Sequence, residues 1–571
     1  MGSPSSGSRS RDVWLLATGV GVVLVWLVTY PLLLTLREAI GDWSVTRQLL
    51  AAYLEGESGR LGLGEIVTKL ANDWVPLWRS LWISLASVVL AGLVGVPLAF
   101  VFERTEFPGR RVLGALLALP VALPPLVGVI AFLFLFGESG FVSRLVQMAL
   151  SLERPPWRLH GAGAILLVHT YSMYVYFYLF TRAALTRLDG SMLEAAASLG
   201  AGRWRTLGRV VLPQLRPALL GAALLTFMTS LGSFSAPYIF AGGYRVMTTQ
   251  IVASRTSGLY QQAQFEAVVL ASVALLALVL IRRLQGPEAV ASAHGVAPRP
   301  RVLQEGWARW GSTLLGWGLA IFMLLPHLTL LLISFVPHGT WTTELVPPVL
   351  DWGNYQELFS DRERLRPILN SLWMASVATA GAVTLGLLAG RQSLRLGGRV
   401  GAMLEGLVAL PWAIPGTVFA VALATAFSVD APWFGRFVWV GTPILLPLAY
   451  LVRCLPITGR SALAGLRQLD PALEEASSSL GAGRLRTFWR VVLPAVRPAL
   501  MAGLGLSFIT ALGDFVTSIV LYTFETRPIA IEIQSALREQ AFGVAAAYGV
   551  LLMILSASAF LVWGRGEASG R

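Results

Sequence analysis

Twelve long apolar runs constrain this chain more than any other feature. They lie at about 13–36, 80–102, 113–136, 161–182, 217–240 and 264–283. After a polar stretch they resume at about 310–336, 370–392, 401–427, 438–460, 498–522 and 541–563. Roughly 20 apolar residues in a helix cross a bilayer. Hydrocarbon offers the backbone no water, so each run must satisfy its own amides and carbonyls as helix. Only 13% of the 571 residues are charged, and mean hydropathy is +0.67; a soluble domain carries about 25% charged residues. The expected fold is an all-α polytopic membrane protein. The first run is longer than a signal-peptide core and lacks a small-residue cleavage site, so it reads as a span. The Ser/Gly-rich stretch from Met1 to Ser10 reads as disordered.

Net charge is +13. In a soluble protein that excess would suggest nucleic acid, but here the position of the charges explains it and no nucleic-acid partner is expected. Arg9 and Arg11 precede the first run. Arg104, Arg110 and Arg111 lie between runs two and three, and Arg182, Arg187, Arg203, Arg205, Arg209 and Arg216 between four and five. Arg282 and Arg283 end run six, Arg391, Arg395 and Arg399 follow run eight, and Arg565 and Arg571 close the chain. With twelve crossings these segments all fall on one side, which the positive-inside rule makes cytoplasmic. The opposite loops are acidic: residues 37–79 hold five Lys/Arg against six Asp/Glu, and 337–369 hold three against five. Both termini are then cytoplasmic.

A duplication divides the chain. Residues 194–219 read EAAASLGAGRWRTLGRVVLPQLRPAL and residues 475–500 read EASSSLGAGRLRTFWRVVLPAVRPAL, with 19 of 26 positions identical at an offset of 281. Phe227, Leu231, Gly232 and Phe234 map at the same offset onto Phe508, Leu512, Gly513 and Phe515. ALPVALPP at 118–125 resembles ALPWAIPG at 409–416, offset by 291. The copies run in the same sense, so the halves are parallel repeats about an axis along the membrane normal. The implied division is a 1–12 terminus, a six-span unit over 13–283, a linker over 284–309, a second unit over 310–563 and a 564–571 tail.

The repeated segment sits in the cytoplasmic loop before the fifth run of each half. Glu194-Ala195-Ala196-Ala197 is a strong helix former with an acid in its expected first turn. Gly200 and Gly202 can end that helix. Arg203 to Leu212 can form a second short helix, which Pro213 should break, with Pro217 opening the next span. Such an element can lie on anionic lipid as a basic interfacial helix, or it can dock a cytoplasmic partner. Two near-identical copies favour two like surfaces being engaged.

Glu194-Ala195-Ala196, then Gly200, then Leu212-Pro213, resembles the EAA signature of ABC importer permeases; Glu475-Ala476-Ser477, Gly481 and Leu493-Pro494 repeat it with one Ala replaced by Ser. Two fused six-span units resemble the ferric-iron permeases and, next, the thiamine permeases, over nearly the whole chain. Residues 527–533 and 542–547 look more like the ferric-iron type, whereas Ala511 to Phe515 resembles the oxyanion permeases. The resemblance implies that Glu194, Ala195, Ala196, Gly200, Arg203 and Arg205, with Glu475, Ala476, Gly481, Arg484 and Arg486, engage an ATP-binding subunit. It implies two copies of that subunit, a periplasmic substrate-binding protein and a bacterial inner-membrane location.

No ATP site is expected in this chain, and no other cofactor. A Walker A loop needs Gly-Lys-Ser/Thr, and the only lysine, Lys69, lies between Thr68 and Leu70. ATP and Mg²⁺ would belong to the partner, so the chain is a permease rather than an enzyme. A secondary transporter would also show two six-span halves, but would not explain near-identity confined to one cytoplasmic loop. No filter-like motif suggests a channel.

For the path, Pro120 and Pro124 in run three and Pro411 and Pro415 in run nine interrupt their helices. They give either plain kinks or carbonyls that line a cavity. Asp514 lies in run eleven, roughly 24 Å along the helix from Pro498, and an intramembrane acid is a functional candidate. Its counterpart is Ser233. Asp514 can instead bond to Thr510 or a neighbour, and Arg453 can pair with an acid or snorkel. The tyrosines of run four read as interfacial or packing residues. The five histidines show no metal-ligand spacing, and the lone Cys454 excludes an intrachain disulfide.

Overall fold

The computed structural model describes residues 6–41, 55–56, 59–60, 74–117, 120, 124–285, 301–302, 306–340, 347–428 and 438–564. Among the described residues ten helices are long and apolar enough to cross a membrane: Val13–Ile40, Val75–Arg104, Pro125–Ala149, Gly161–Leu185, Trp204–Leu231, Tyr260–Leu284, Thr313–Ile333, Arg362–Leu396, Arg484–Leu512 and Phe542–Trp563. An eleventh is a broken pair, Gly398–Trp412 and Gly416–Ala426, bent by 106°. Run ten is also a helix, Leu445–Gln468, but Arg453, Arg460 and Arg467 lower its hydropathy. The only strands among the described residues are two two-residue pairings, one of which joins Thr105-Glu106 to Arg301-Val302.

Some boundaries move. Residues 6–10 are helical, in the segment Ser6–Leu24, rather than disordered; once an apolar span nucleates a helix, each further residue adds a backbone bond cheaply. Residues 1–5 and most of the expected linker lie outside the described residues, and the helix after it starts at Gly306. In the first span a π-turn, Val25–Thr29, precedes Pro31; the wider turn accommodates the ring.

The halves repeat each other's packing. The second-span helix Val75–Arg104 packs on Gly161–Leu185, as Arg362–Leu396 packs on Leu445–Gln468. At the same repeat position of each pair a glycine allows backbone contact. A Cβ at Gly95 would strike the backbone of Tyr174 and Tyr178, and one at Gly386 would lie 2.9 Å from the Gly459 amide. Small residues give membrane helices the close packing that replaces a hydrophobic drive. The leading helix of each half instead reaches across. Tyr30–Ile40 packs on Gly416–Ala426 of the second half, and Gly306–Ile333 on Pro125–Phe136 of the first. One buried cluster therefore runs through both halves, from Leu24 and Phe134 to Phe427 and Phe515.

Candidate functional site

Two regions carry the functional candidates. The first is the repeated cytoplasmic segment. Asp189 opens the helix Gly190–Ser198 by accepting the Ser191 amide at 3.0 Å, and Asp470 opens Pro471–Ser479 by accepting the Ala472 amide at 2.9 Å. Glu194 is therefore in the second turn, not the first; the aspartate five residues upstream supplies the N-terminal charge. Gly200 and Gly481 follow at φ +72° and +79°, left-handed values that glycine adopts without penalty. Past this turn the chain is not broken at Pro213. Arg203–Thr206 runs through a π-turn, Leu207–Val211, into Leu212–Leu231, and the second copy does the same through Phe488–Val492. The π-turn widens the helix where proline cannot donate, so Pro213 and Pro217 both sit inside a continuous span.

Glu194, Ala195, Arg205, Glu475, Ala476, Arg484 and Arg486 are exposed, and Ala196 is buried against the fold. Arg203 stands at the start of the second limb. The most prominent residues are ones that sequence reasoning passed over. Leu199 and Leu480 are 87% and 88% exposed, and Trp204 and Leu485 are 85% and 73% exposed. They are equivalent pairs on either side of the glycine turn. Their apolarity inside a basic loop was the available signal.

The underpinnings differ. The first segment rests on a cluster of Leu185, Leu188, Val211 and Leu215, with Leu193 and Leu207 against it. In the second, Glu474 replaces Leu193 and pairs with Arg391 at 3.3 Å and Arg395 at 3.5 Å, while Ser477 bonds Thr487 at 2.9 Å.

The second region is the centre of the molecule. The fifth- and eleventh-span helices stop at Leu231 and Leu512, and short helices, Ser235–Phe240 and Val516–Leu521, follow. Asp514 is thus not inside a helix but in the break after one. Its Oδ1 accepts the Thr517 amide at 2.7 Å and its Oδ2 the Thr517 hydroxyl at 3.0 Å, and a carboxylate that caps the next turn competes with continuing the last one. Arg453 Nε lies 2.7 Å from Asp514 Oδ2; the contact is ionic, since the N–H is not aligned on the oxygen. The carboxylate side chain is 2% exposed and Arg453 28%. Thr510 bonds the Leu506 carbonyl instead.

In the first half Ser233 takes the equivalent place. Its hydroxyl meets His169 Nε2 at 2.9 Å, and the other ring nitrogen meets Ser87 at 3.0 Å and Ser230 at 3.1 Å. Repeat equivalents Phe234 and Phe515 touch one another, ring centroids 5.5 Å apart, at the pseudo-two-fold axis.

The prolines belong to the same centre. Pro124 and Pro415 are buried and precede the helices Pro125–Phe136 and Gly416–Ala426. Their carbonyls are engaged in opening those helices: Pro124 O accepts from Val127 and Pro415 O from Val418, each at 3.0 Å. Each proline abuts the other half's break. A Cβ at Gly513 would lie 2.6 Å from Pro124 Cβ, and one at Gly232 would lie 3.6 Å from Pro415 Cα. Pro411 is buried in the turn Leu410–Trp412, and Pro120 is half-buried with the residues beside it outside the described set.

Comparison with known proteins fits this duplicated architecture. Residues 92–286 and 382–564 each match the family described as binding-protein-dependent transport system inner membrane component. The chain belongs to that family. It is a permease of the ABC importer class, a multi-pass inner-membrane protein and not itself an enzyme. A probable ABC transporter permease protein, y4fN, of Sinorhizobium fredii is 30% identical over 91% of this chain and 94% of its own length. The ferric transport system permease protein FbpB of Actinobacillus pleuropneumoniae is 29% identical over 87% of this chain and 70% of its own. The thiamine transport system permease protein ThiP of Escherichia coli is 27% identical over 78% and 82%. Membership implies two further kinds of component, an ATPase subunit and a substrate-binding protein.

Proposed function

We propose that the permease passes ferric iron, delivered by a periplasmic binding protein, to the cytoplasm. Residues 194–205 and 475–486 each dock one ATP-binding subunit. ATP and Mg²⁺ act on that partner; its closure draws the two docking segments together and rocks the halves about the Phe234–Phe515 contact, so that access alternates. Both termini face the cytoplasm, on the side of the docking segments. The observation that carries the docking reading is the pair of knobs: Leu199 and Leu480, almost fully exposed, stand beside left-handed glycines at equivalent repeat positions. Apolar side chains held out by short, capped helices are suited to inserting into a cleft on a protein.

Ferric iron is the leading cargo because of the ferric-transport relative and the resemblance of residues 527–533 and 542–547. Thiamine, phosphonate and an oxyanion are the alternatives. The test of docking is co-purification with the candidate ATPase. Leu199→Asp with Leu480→Asp should abolish the complex while leaving the permease monodisperse; a wild type that binds no ATPase overturns the reading, as does uptake driven by a proton gradient without ATP. The test of cargo is the ligand that the cognate binding protein carries, with uptake of that ligand by proteoliposomes containing the full complex.

A further inference from the structure

A cavity of about 430 Å³ lies at the cytoplasmic end of the second half, among the helices Tyr260–Gln285, Arg362–Leu396, Gly398–Ala409 and Leu445–Gln468. Its charged lining is Arg282, Arg460 and Arg467 against Glu405 alone; the rest is apolar or glycine. Arg467 is answered by Glu405 at 3.2 Å, and Ser393 also donates to that carboxylate at 2.7 Å. Among the described residues neither Arg282 nor Arg460 meets a carboxylate. The Arg460 guanidinium lies 4.5 Å over the ring of Trp412.

The depth of Arg460 makes this unusual. It stands about 12 Å inside the cytoplasmic end of its helix, with its side chain exposed. The positive-inside rule accounts for arginines at the ends of spans, not for one two turns in. Nor does the repeat require it. Arg282, Arg460, Arg467 and Glu405 correspond to Trp563, Leu179, Thr186 and Gly114. In the first half Tyr178 and Arg182 close over Gly114, and Trp563 packs instead on Gly505 and Phe508 of its own half. The corresponding place is thus covered by Tyr178 and Arg182 in one half and, in the other, left open with two guanidiniums that meet no carboxylate among the described residues.

We propose that this cavity binds the phosphate of an anionic glycerophospholipid from the inner leaflet. Guanidinium forks match phosphate oxygens bidentately. A basic pocket between spans on the cytoplasmic side, with apolar walls, suits a headgroup whose chains remain in the bilayer. An inorganic phosphate shares the anion chemistry but gains nothing from the apolar walls.

The test is native mass spectrometry of the full chain, delipidated in detergent and titrated with phosphatidylglycerol, phosphatidylcholine or inorganic phosphate. Wild type should retain phosphatidylglycerol at least tenfold better than phosphatidylcholine. Arg282→Gln with Arg460→Gln should lose that preference, and the matching Lys pair should keep most of it. Ala464→Phe, which fills the cavity and spares both arginines, should also lose it, so the proposal stands or falls even where the Gln pair is poorly folded. Arg283→Gln, which removes one charge just outside the lining, should leave retention unchanged. Equal retention by wild type and the Ala464→Phe variant overturns the proposal. Displacement of phosphatidylglycerol by millimolar inorganic phosphate overturns the lipid assignment in favour of a soluble anion.

Discussion

At the break of the first half, Ser233 is held by an imidazole whose two nitrogens both meet hydroxyls. At the same place in the second half, Asp514 faces Arg453 across 2.7 Å, and Tyr450, the repeat equivalent of His169, bonds Ser518 at 2.6 Å. The docking segments show a milder form of the contrast: both rest on equivalent apolar clusters, Leu185, Val211 and Leu215 in the first and Leu466, Val492 and Val496 in the second, and the second adds Glu474 paired with two arginines. The backbone path is shared, while the second half adds ion pairs where the first uses neutral contacts alone. A backbone break in a membrane protein needs its polar groups satisfied by something. Either chemistry can do that, so duplication preserved the geometry and let the chemistry diverge.

The largest expected effect of that difference follows from Asp514→Ala. Removing one partner of a buried pair strands the other charge and costs about 3–5 kcal/mol; Arg453 keeps some exposure, which puts the loss near the lower end. The midpoint of thermal unfolding in detergent should fall clearly, and Asp514→Ala with Arg453→Met should recover most of it. If the single and double variants unfold alike, the pair is not what holds this break.

Next come the crossing points. Gly513→Ala must displace Pro124, and overpacking costs about 1–3 kcal/mol, whereas Gly232→Ala meets Pro415 at ordinary contact distance, with only the Met228 carbonyl tight at 3.3 Å. Transport by proteoliposomes should drop severalfold more for Gly513→Ala than for Gly232→Ala. Equal losses would mean that the halves cross symmetrically in the working cycle.

Ser233→Ala should cost about 1–3 kcal/mol, because it leaves the buried His169 Nε2 without a partner while Ser87 and Ser230 keep the other ring nitrogen. Unfolding in detergent reads this against Asp514→Ala. Smallest is Glu474→Ala, whose partly exposed pairs contribute under about 1 kcal/mol. Its readout is coupling: ATP hydrolysed per substrate moved should rise, with complex formation retained. Leu193→Glu, with no arginine pair evident beneath it, should do the same or more in the first segment.

Much of this was legible beforehand. The spans, the duplication, the two docking loops and the interruptions at proline all follow from local pattern. What stayed hidden depended on distance along the chain. Arg453 and Asp514 are on different helices, and a span-eleven acid with Arg453 as one possible partner was as far as the sequence reached. His169 was read without a role because Ser87, Ser230 and Ser233, its partners, come from two other spans. Leu199 and Trp204 looked like ordinary apolar residues; only their exposure marks them as a surface. Glu475 carries the signature, yet Glu474 makes the ion pairs, since adjacent residues on a helix point to different sides.

By itself the sequence determined that this chain must be helical and multi-pass, where its repeat lies and which side of each loop is basic. A bilayer imposes those outcomes on any chain of such composition, because unpaired backbone and misplaced charge are costly there whatever the packing. Only the tertiary structure decided that the first helix of each half packs on the other, that Phe234 meets Phe515 at the axis, and that one half keeps a basic cavity where the other is filled. Those are contacts between residues far apart in the chain, set by how twelve helices share one volume, and no local pattern encodes them.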